Sequence, residues 1–220
     1  MNSEIQQKQK YCIACANVLE CAYNWNSYVL LTCSNCSLET VELLPHPEAL
    51  EQFYQGISAK KFVDWNKCKA RIEKAFEKYL APLVDLPEKS FLDVGGGAGY
   101  YAQAAQVHGY SARLIDFAHD ALEFAQNKLK VTQVTHGNIQ YCANFLGGKQ
   151  YGLVLSRHTI EHMLDPQKFV EQLALVTQPK GYLYLETPNV SSFEQLAHPR
   201  QIMFNYQILK NRILKCLRLS

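Results

Sequence analysis

Long apolar runs are missing from this sequence. No stretch approaches the roughly 18 uninterrupted apolar residues that a membrane-spanning helix needs. The polar start, MNSEIQQKQKYC, also lacks the apolar core of a signal peptide. These two absences predict a cytoplasmic protein without a transmembrane segment.

A strong charge of either sign is missing too. The formal net charge is +2, whereas proteins built mainly to grip nucleic acid usually carry a basic excess or a basic stripe. Residues 16–32 contain neither lysine nor arginine. Nucleic acid is therefore disfavoured as the main partner, although the charge does not exclude an RNA substrate.

Internal repeats and low-complexity segments are absent, and what remains is the composition of a globular protein. The 220 residues are 48% hydrophobic and 19% charged, which suits one α/β domain with a small appendage. We divide the chain into four zones. They are a cysteine-rich head over 1–44, a helical connector over 45–89, an α/β domain over 90–190 and a tail over 191–220.

The zone over 90–190 alternates strands with helices. The segments FLDV, SARLID, VTQVTH, GLVLS and GYLYLET have the composition of strands, and helical periods lie between them. Asp165 followed by Pro166 marks a helix start. Strands that alternate with helices predict a parallel sheet covered by helices on both faces. The connector shows a helical apolar period from Cys68 to Leu83, which predicts a helix packed on this sheet.

A glycine-rich segment, Asp93-Val94-Gly95-Gly96-Gly97-Ala98-Gly99, lies where the first of these strands ends and a helix begins. Glycines there let the backbone turn tightly and approach a ligand, which predicts a nucleotide-like cofactor. Tyr100 stands where the dinucleotide fingerprint needs a small residue, and no Gly-Lys-Ser/Thr phosphate loop is present. A glycine turn without a ligand is the alternative.

Asp116 lies 23 residues after Asp93, at the end of the next predicted strand. Its two carboxylate oxygens can receive the two ribose hydroxyls of an adenosine. A surface aspartate that caps the following helix is the alternative. At Asp93, a carboxylate can pair with a cationic amino-acid ligand.

The pattern Asp-x-Gly-x-Gly-x-Gly resembles the first motif of class I methyltransferases, which bind S-adenosylmethionine (SAM) on a Rossmann-like sheet of seven strands. By this resemblance Phe117 flanks the adenine. Asn138 replaces the acidic residue that reads the adenine amino group in the family, and its carbonyl can still accept that hydrogen bond. The implied cofactor site consists of Asp93, Gly95, Gly97, Gly99, Asp116, Phe117, Asn138, Ile139 and Arg157.

The segment from Arg157 to Pro166, RHTIEHMLDP, resembles the Glu-His-x-x-Asp-Pro segment of the branch that includes quinone and sugar O-methyltransferases. The resemblance implies that Arg157 lines the cofactor pocket through its backbone and that His162 faces the acceptor. A histidine there can act as a general base. The alternative is that His162 only orients the acceptor or supports the fold. We expect Glu161 to hold local structure, and we rank His158 behind both.

Two cysteine pairs occupy the head, Cys12-x2-Cys15 and Cys33-x2-Cys36. Their spacing is typical of a zinc ribbon, in which four thiolates close a tetrahedral structural site. Ribbon knuckles usually have glycine after the second cysteine, and Ala16 and Ser37 stand there instead. The head also resembles that of bacterial sugar and polysaccharide methyltransferases that begin with a zinc ribbon. The remaining cysteines are expected to be ordinary small apolar residues.

The tail contains five basic residues and no acidic residue after Glu194, and its sequence favours helix. We find no pair of strands in it, so we expect a sheet that lacks the last two strands of the seven-stranded fold. The leading hypothesis is a SAM-dependent methyltransferase that acts on a small or sugar-containing acceptor, at oxygen. One alternative is an RNA methyltransferase that binds RNA through the ribbon. Another is a non-catalytic SAM-binding scaffold whose tail contacts a partner, a second copy or a membrane surface.

Overall fold

A computed structural model of the chain describes residues 7–25, 28–44, 65–82, 86, 88–189 and 205–206. The chain divides into two compact units, Met1–Gly56 and Ile57–Ser220, and each is described by itself. Among the described helices, none has the length and apolar character needed to cross a membrane. The finer division into four zones stays a prediction.

The first unit is built from short antiparallel strands. A three-stranded sheet has the order β2-β3-β4, and β1 pairs with β5. Its small core contains Leu19 and Leu31, which pack with Cys12 and Cys33. The strands are β1 (Gln7–Lys8), β2 (Leu19–Trp25), β3 (Tyr28–Cys33), β4 (Glu39–Val41) and β5 (Leu43–Leu44).

The second unit alternates strands with helices, as the sequence predicts. Its first half consists of α1 (Trp65–Tyr79), β6 (Ser90–Val94), α2 (Tyr100–Val107), β7 (Ser111–Asp116), α3 (His119–Asn127) and β8 (Gln133–His136). Its second half consists of a 3-10 helix (Ile139–Phe145), β9 (Tyr151–Arg157), a 3-10 turn (Ile160–His162), α4 (Pro166–Val176), β10 (Thr177–Glu186), β11 (Pro188–Asn189) and β12 (Asn205–Tyr206).

The main sheet has five parallel strands in the order β8-β7-β6-β9-β10. The order reverses between β6 and β9, because the chain crosses back over the sheet after β8. In open α/β sheets, ligands bind at such a reversal, beyond the carboxyl ends of the strands. The fold therefore directs attention to the loops after Val94 and Arg157.

Helices cover both faces of this sheet. Phe91, Leu153 and Leu155 pack with α1, α2 and α3 on one face. Leu92 and Val154 pack with α4 and the 3-10 helix on the other. Strands β6 and β9, which carry these residues, are buried along almost their whole length, as expected for central strands of a parallel sheet. The predicted Rossmann-like arrangement is confirmed.

The connector helix packs on this sheet as predicted, although Leu83 lies outside the described residues. Phe76 of α1 is fully buried, and its ring lies 5.7 Å from that of Phe91 in β6, edge to face. At the start of α4, Asp165 caps the helix by accepting a hydrogen bond from the Lys168 backbone N–H at 2.9 Å. The cap and the proline predicted there are both present.

Two local features differ from the prediction. The 3-10 helix Ile139–Phe145 was not expected, because it is short and lacks a full amphipathic period. In the tail, Asn205–Tyr206 forms β12, antiparallel to β11, so the predicted helix is wrong at these two residues. Whether two residues pair as a strand depends on a partner strand elsewhere in the chain, and the apolar periodicity of the tail carries no information about that partner. The other residues of the predicted tail helix lie outside the described part of the chain.

Candidate functional site

The glycine loop after β6 has residues with positive φ, a conformation that residues other than glycine adopt only at a cost in free energy. Gly95 and Gly97 have φ of 72° and 54°. A Cβ on Gly96 would lie 2.3 Å from the Asp93 carboxyl carbon, and one on Gly95 would lie 2.6 Å from the Thr159 side chain. A Cβ on Gly97 would meet nothing within 4 Å. Gly97 therefore presents bare backbone to open space, as a ligand-binding loop requires.

A cavity of about 290 Å³ opens beside this loop, at the reversal between β6 and β9. It brings together four predicted site residues, Asp93, Gly95, Gly97 and Arg157. Gly99 does not line it: a Cβ there would lie 2.9 Å from Leu114 and 3.0 Å from Ala125, so this glycine allows close helix packing. The complete lining is Arg71, Ile72, Asp93, Gly95, Gly96, Gly97, Ala98, Tyr100, Tyr101, Arg157 and His158.

Asp93 is the buried acid of this cavity. Its side chain is only 1% exposed, and its Oδ2 has no hydrogen-bond partner among the described residues. Burial raises the pKa of Asp93 to about 7, and the negative charge of Asp116 adds to the increase. The Ala102 backbone N–H and the charge of Arg157 act in the opposite direction. An unpartnered buried carboxyl group is costly, so this position favours a ligand that brings a donor or a positive charge.

Asp116 supports the glycine loop from the end of β7. Its Oδ2 accepts a hydrogen bond from the Gly97 backbone N–H at 2.8 Å, and its Oδ1 accepts one from Ala118 at 2.8 Å. Burial raises the pKa of Asp116, and these backbone donors lower it in part. Each carboxylate oxygen has a second acceptor site, so the group keeps capacity for hydroxyl donors.

The residues predicted at the adenine lie after β7 and β8, outside the lining of the described cavity. Asn138 Oδ1 accepts a hydrogen bond from the Gln140 backbone N–H at 2.9 Å and so caps the 3-10 helix. Ile139 is buried at 5% exposure, and Phe117 packs against the same apolar cluster. The carbonyl of Asn138 therefore serves local structure, with one acceptor site remaining.

The two histidines of the RHTIEH segment occupy different positions. His158 lines the cavity, in a left-handed conformation with φ of 54°. The side chain of His162 is 44% exposed, and its Nε2 lies 3.9 Å from Glu161 Oε1. Burial lowers the pKa of His162, whereas the charge of Glu161 opposes this. The lowered pKa favours the neutral form of His162, which lies near the surface, and His158 is the histidine on the cavity wall.

Glu161 connects these histidines to the end of the last strand. Its Oε1 lies 3.5 Å from His158 Nδ1, and its Oε2 accepts a hydrogen bond from Thr187 at 3.1 Å. Burial acts to raise the pKa of Glu161, but the His158 hydrogen bond and the neighbouring histidine charges outweigh it, so the pKa is lowered. A carboxylate with these partners holds the segment in place, as predicted for Glu161.

Comparison with known proteins identifies the domain that carries this cavity. A family model described as "Methyltransferase domain" matches residues 63–215, which is more than half of the chain. The chain belongs to this family of methyltransferases. The prediction of a class I, SAM-dependent methyltransferase is confirmed at the level of the family.

Individual relatives support the same assignment. A "Ubiquinone biosynthesis O-methyltransferase" of Coxiella burnetii is 26% identical over 117 residues, which are 51% of this chain and 49% of the relative. A protein of the same name from Rickettsia canadensis is 28% identical over 120 residues, 54% of this chain and 51% of the relative. The methyltransferase chain thus matches about half the length of these relatives.

A solved structure shares the fold. The PH0226 protein of Pyrococcus horikoshii superposes with a TM-score of 0.51 at 15% identity, over 70% of this chain and 71% of that chain. Identity this low shows the fold alone.

Several cavity residues of the methyltransferase domain were not among the predicted site residues. Arg71 and Ile72 come from α1, and the half-buried Tyr101 comes from the first turn of α2. The periodicity of α1 marks Ile72 as a core position, and it is buried at 8% exposure. Which part of a core helix borders a cavity depends on how the helix is placed on the sheet, so no sequence signal could assign these residues to the site.

The four cysteines of the first unit form one cluster. All four Sγ atoms lie within 4.8 Å of one another. Cys12 and Cys36 are 3.5 Å apart, and Cys15 and Cys33 are 3.4 Å apart. A tetrahedral zinc with bonds of about 2.3 Å needs sulfur separations of roughly 3.8 Å, so the cluster fits this ion. The predicted pairing of the two knuckles in space is therefore present.

Each cysteine pair is followed by a residue in the left-handed conformation, which is the turn expected of a zinc-ribbon knuckle. Ala16 and Ser37 have φ of 59° and 61°, in the left-handed region. Their backbone N–H groups donate to the carbonyls of Cys12 and Cys33 at 2.8 Å. Since glycine would adopt this backbone without strain, these two residues store a small cost that the folded cluster must offset.

Proposed function

We propose that the α/β domain binds SAM in the cavity beside the glycine loop and transfers its methyl group to an oxygen of a small or sugar-containing acceptor. The observation that carries this proposal is the buried, unpartnered Oδ2 of Asp93 beside the bare backbone of Gly97. A carboxylate in that position suits the ammonium group of an amino-acid ligand. An ordinary nucleotide phosphate would be repelled by it.

The other site residues fit the remaining parts of SAM. Arg71 lines the cavity and can meet the ligand carboxylate. Asp116 retains acceptor sites for ribose hydroxyls, and we assign the adenine to the neighbourhood of Phe117 and Asn138, which follow β7 and β8. Gly95 and Gly97 let the ligand approach the backbone.

Bound SAM supplies an electrophilic methyl group on a sulfonium, so the protein has little activation to provide. Its main task is to hold the acceptor in line with the methyl group and to exclude water. An acceptor hydroxyl must lose its proton as it attacks, and a neutral histidine such as His162 can take a proton. The name of the Coxiella and Rickettsia relatives supports oxygen as the target.

Calorimetric titration with SAM tests the cofactor part of this proposal. We expect one binding site in the wild type and an affinity about 10- to 100-fold lower in Asp116→Ala, because hydrogen bonds to a charged group contribute about 1.5–3 kcal/mol. Glu171→Gln is the control, since this exposed carboxylate lies on α4 and its ion-pair partner in the described part of the chain is Lys168. A folded wild type that gives no heat with SAM would refute the proposal.

Incubation with methyl-labelled SAM and a small-molecule cell extract tests the transfer step. We expect label in the low-molecular-weight fraction, and much less with Asp93→Asn at a subsaturating SAM concentration. Label found only in RNA would contradict a small acceptor.

We further propose that Cys12, Cys15, Cys33 and Cys36 hold a structural zinc ion. The short sulfur separations support this assignment. Four thiolates leave no open coordination position, so the ion would stabilise the small first unit rather than take part in chemistry.

A further inference from the structure

Arg157 enters the cavity with a side chain whose direction is fixed. Its Nε donates a hydrogen bond to Glu186 Oε1 at 2.7 Å. Its guanidinium carbon lies 5.6 Å from the centre of the Tyr101 ring, a cation–π distance. Both Arg157 and Tyr101 line the cavity. The resemblance to known methyltransferases implied only a backbone role at this position and assigns no role to the side chain.

Glu186 is itself held in place at the end of β10. Its Oε2 accepts a hydrogen bond from the Tyr184 hydroxyl at 3.1 Å, and its backbone carbonyl accepts one from the His158 N–H at 2.9 Å. Its side chain is only 11% exposed. A buried carboxylate with two side-chain donors orients Arg157 and also neutralises part of its charge.

The charges that face Asp93 come from several elements. Asp116 of β7 acts against ionisation of Asp93, and Arg157 of β9 acts for it. Arg71 of α1 and His158 line the same cavity, and the Ala102 backbone N–H donates a hydrogen bond to Asp93. The pKa of Asp93, about 7, leaves the group divided between its two forms at neutral pH. Only the ionised form can pair with an ammonium group.

We propose that the Arg157 guanidinium, oriented by Glu186 and Tyr101, is the counter-charge that favours the carboxylate form of Asp93 for binding the SAM amino group. Glu186 then has two effects: it orients Arg157 and it weakens the counter-charge. Arg157 and Glu186 are positioning residues in this role, since they act through Asp93. The inference rests on the proposed SAM site.

The test is the dissociation constant for SAM, measured by calorimetry between about pH 5.5 and about pH 7.5, where protonation of Asp93 weakens binding. In the wild type we expect affinity to fall as the pH is lowered. The midpoint is the pH at which half of Asp93 is protonated in the SAM-free protein, and below it the affinity should fall by about tenfold per pH unit. Arg157→Met should move the midpoint up by about half a pH unit or more, because an opposite charge is lost. Arg157→Lys keeps the charge and should move it less.

Glu186→Gln supplies the opposite perturbation. Glutamine keeps a carbonyl acceptor for Arg157 Nε but removes the negative charge, so the midpoint should move down. If Arg157 and Glu186 only supported the fold, replacing them would not shift the midpoint in opposite directions. Lys168→Met, which removes a cation outside the cavity lining, should leave the midpoint unchanged.

Three results would overturn the inference. One is an unchanged midpoint in folded Arg157→Met and Glu186→Gln. The second is a loss of affinity that is equal at every pH, since this would make Arg157 a plain binding contact. The third is a shift of both variants in the same direction. If Arg157→Met does not fold, Arg157→Lys and Glu186→Gln still give opposite expected shifts. A folded wild type that binds no SAM at any pH is a separate result, which removes the proposed function itself.

Discussion

Replacing Asp93 with asparagine removes the carboxyl group that is only 1% exposed and lacks a partner at Oδ2. The shift of its pKa from 3.8 to about 7 corresponds to about 4 kcal/mol. The folded state binds this proton more tightly than the unfolded chain does. Stability is therefore highest below the unfolded pKa and is lost as the pH rises through 7. This is opposite to the behaviour of an ion-paired aspartate.

The assay is urea unfolding of the wild type and Asp93→Asn without SAM, at several pH values. The variant minus wild-type free energy of unfolding should rise by about 3 kcal/mol between about pH 4.5 and about pH 8. Asparagine adds only a pH-independent offset, because it does not titrate. Glu171→Gln changes an exposed carboxylate and should give a flat difference. A flat or falling difference for Asp93→Asn would refute the reasoning.

The same substitution should weaken SAM binding at about pH 7.5 by about tenfold or more, since a charged hydrogen bond is lost. The apoprotein would then gain stability while losing its ligand. Such opposed effects are expected where a binding site contains a charge that destabilises the apoprotein but contributes to ligand binding.

Further predictions concern the loop, the metal and one helix cap. Gly97→Ala and Gly147→Ala both place Cβ in open space at positive φ, so each should cost about 1–2 kcal/mol of stability, but only Gly97→Ala should lose SAM affinity in calorimetry. Metal analysis should find about one zinc per chain in the wild type and in Cys21→Ser, and well below that in Cys15→Ser; equal zinc in both variants would exclude the cluster. Asp165→Ala should lower the free energy of unfolding by about 1 kcal/mol through loss of the helix cap, and no change would show that solvent replaces it.

The fold could be read from the sequence because its signals are local. Buried strands such as SFLDV and YGLVLS are short, mostly apolar segments, and Asp165-Pro166 marks a helix start whatever lies around it. The 3-10 helix at Ile139–Phe145 has no comparable signal. It is held by contacts with α4, including a hydrogen bond from the Ala143 N–H to the Gln172 side chain at 3.3 Å.

The candidate site could be read only in part. Asp93 and Gly97 lie within one short segment of the sequence, so their pattern predicts a ligand loop directly. Gly99 belongs to the same pattern, yet its contacts with Leu114 and Ala125 assign it to packing. A motif indicates which positions need glycine, whereas the neighbours of each glycine decide why.

By itself, the sequence determined the alternation of strands and helices, the acidic glycine loop and the spacing of the two cysteine pairs. These are properties of neighbouring residues, set by local conformation and burial. The tertiary structure alone decided that His158 rather than His162 lines the cavity, and that Arg157 faces it with a charge restrained by Glu186. The Arg157–Glu186 pair joins the ends of two neighbouring parallel strands, β9 and β10. No rule of spacing along the chain determines which side chains meet at the ends of separate strands.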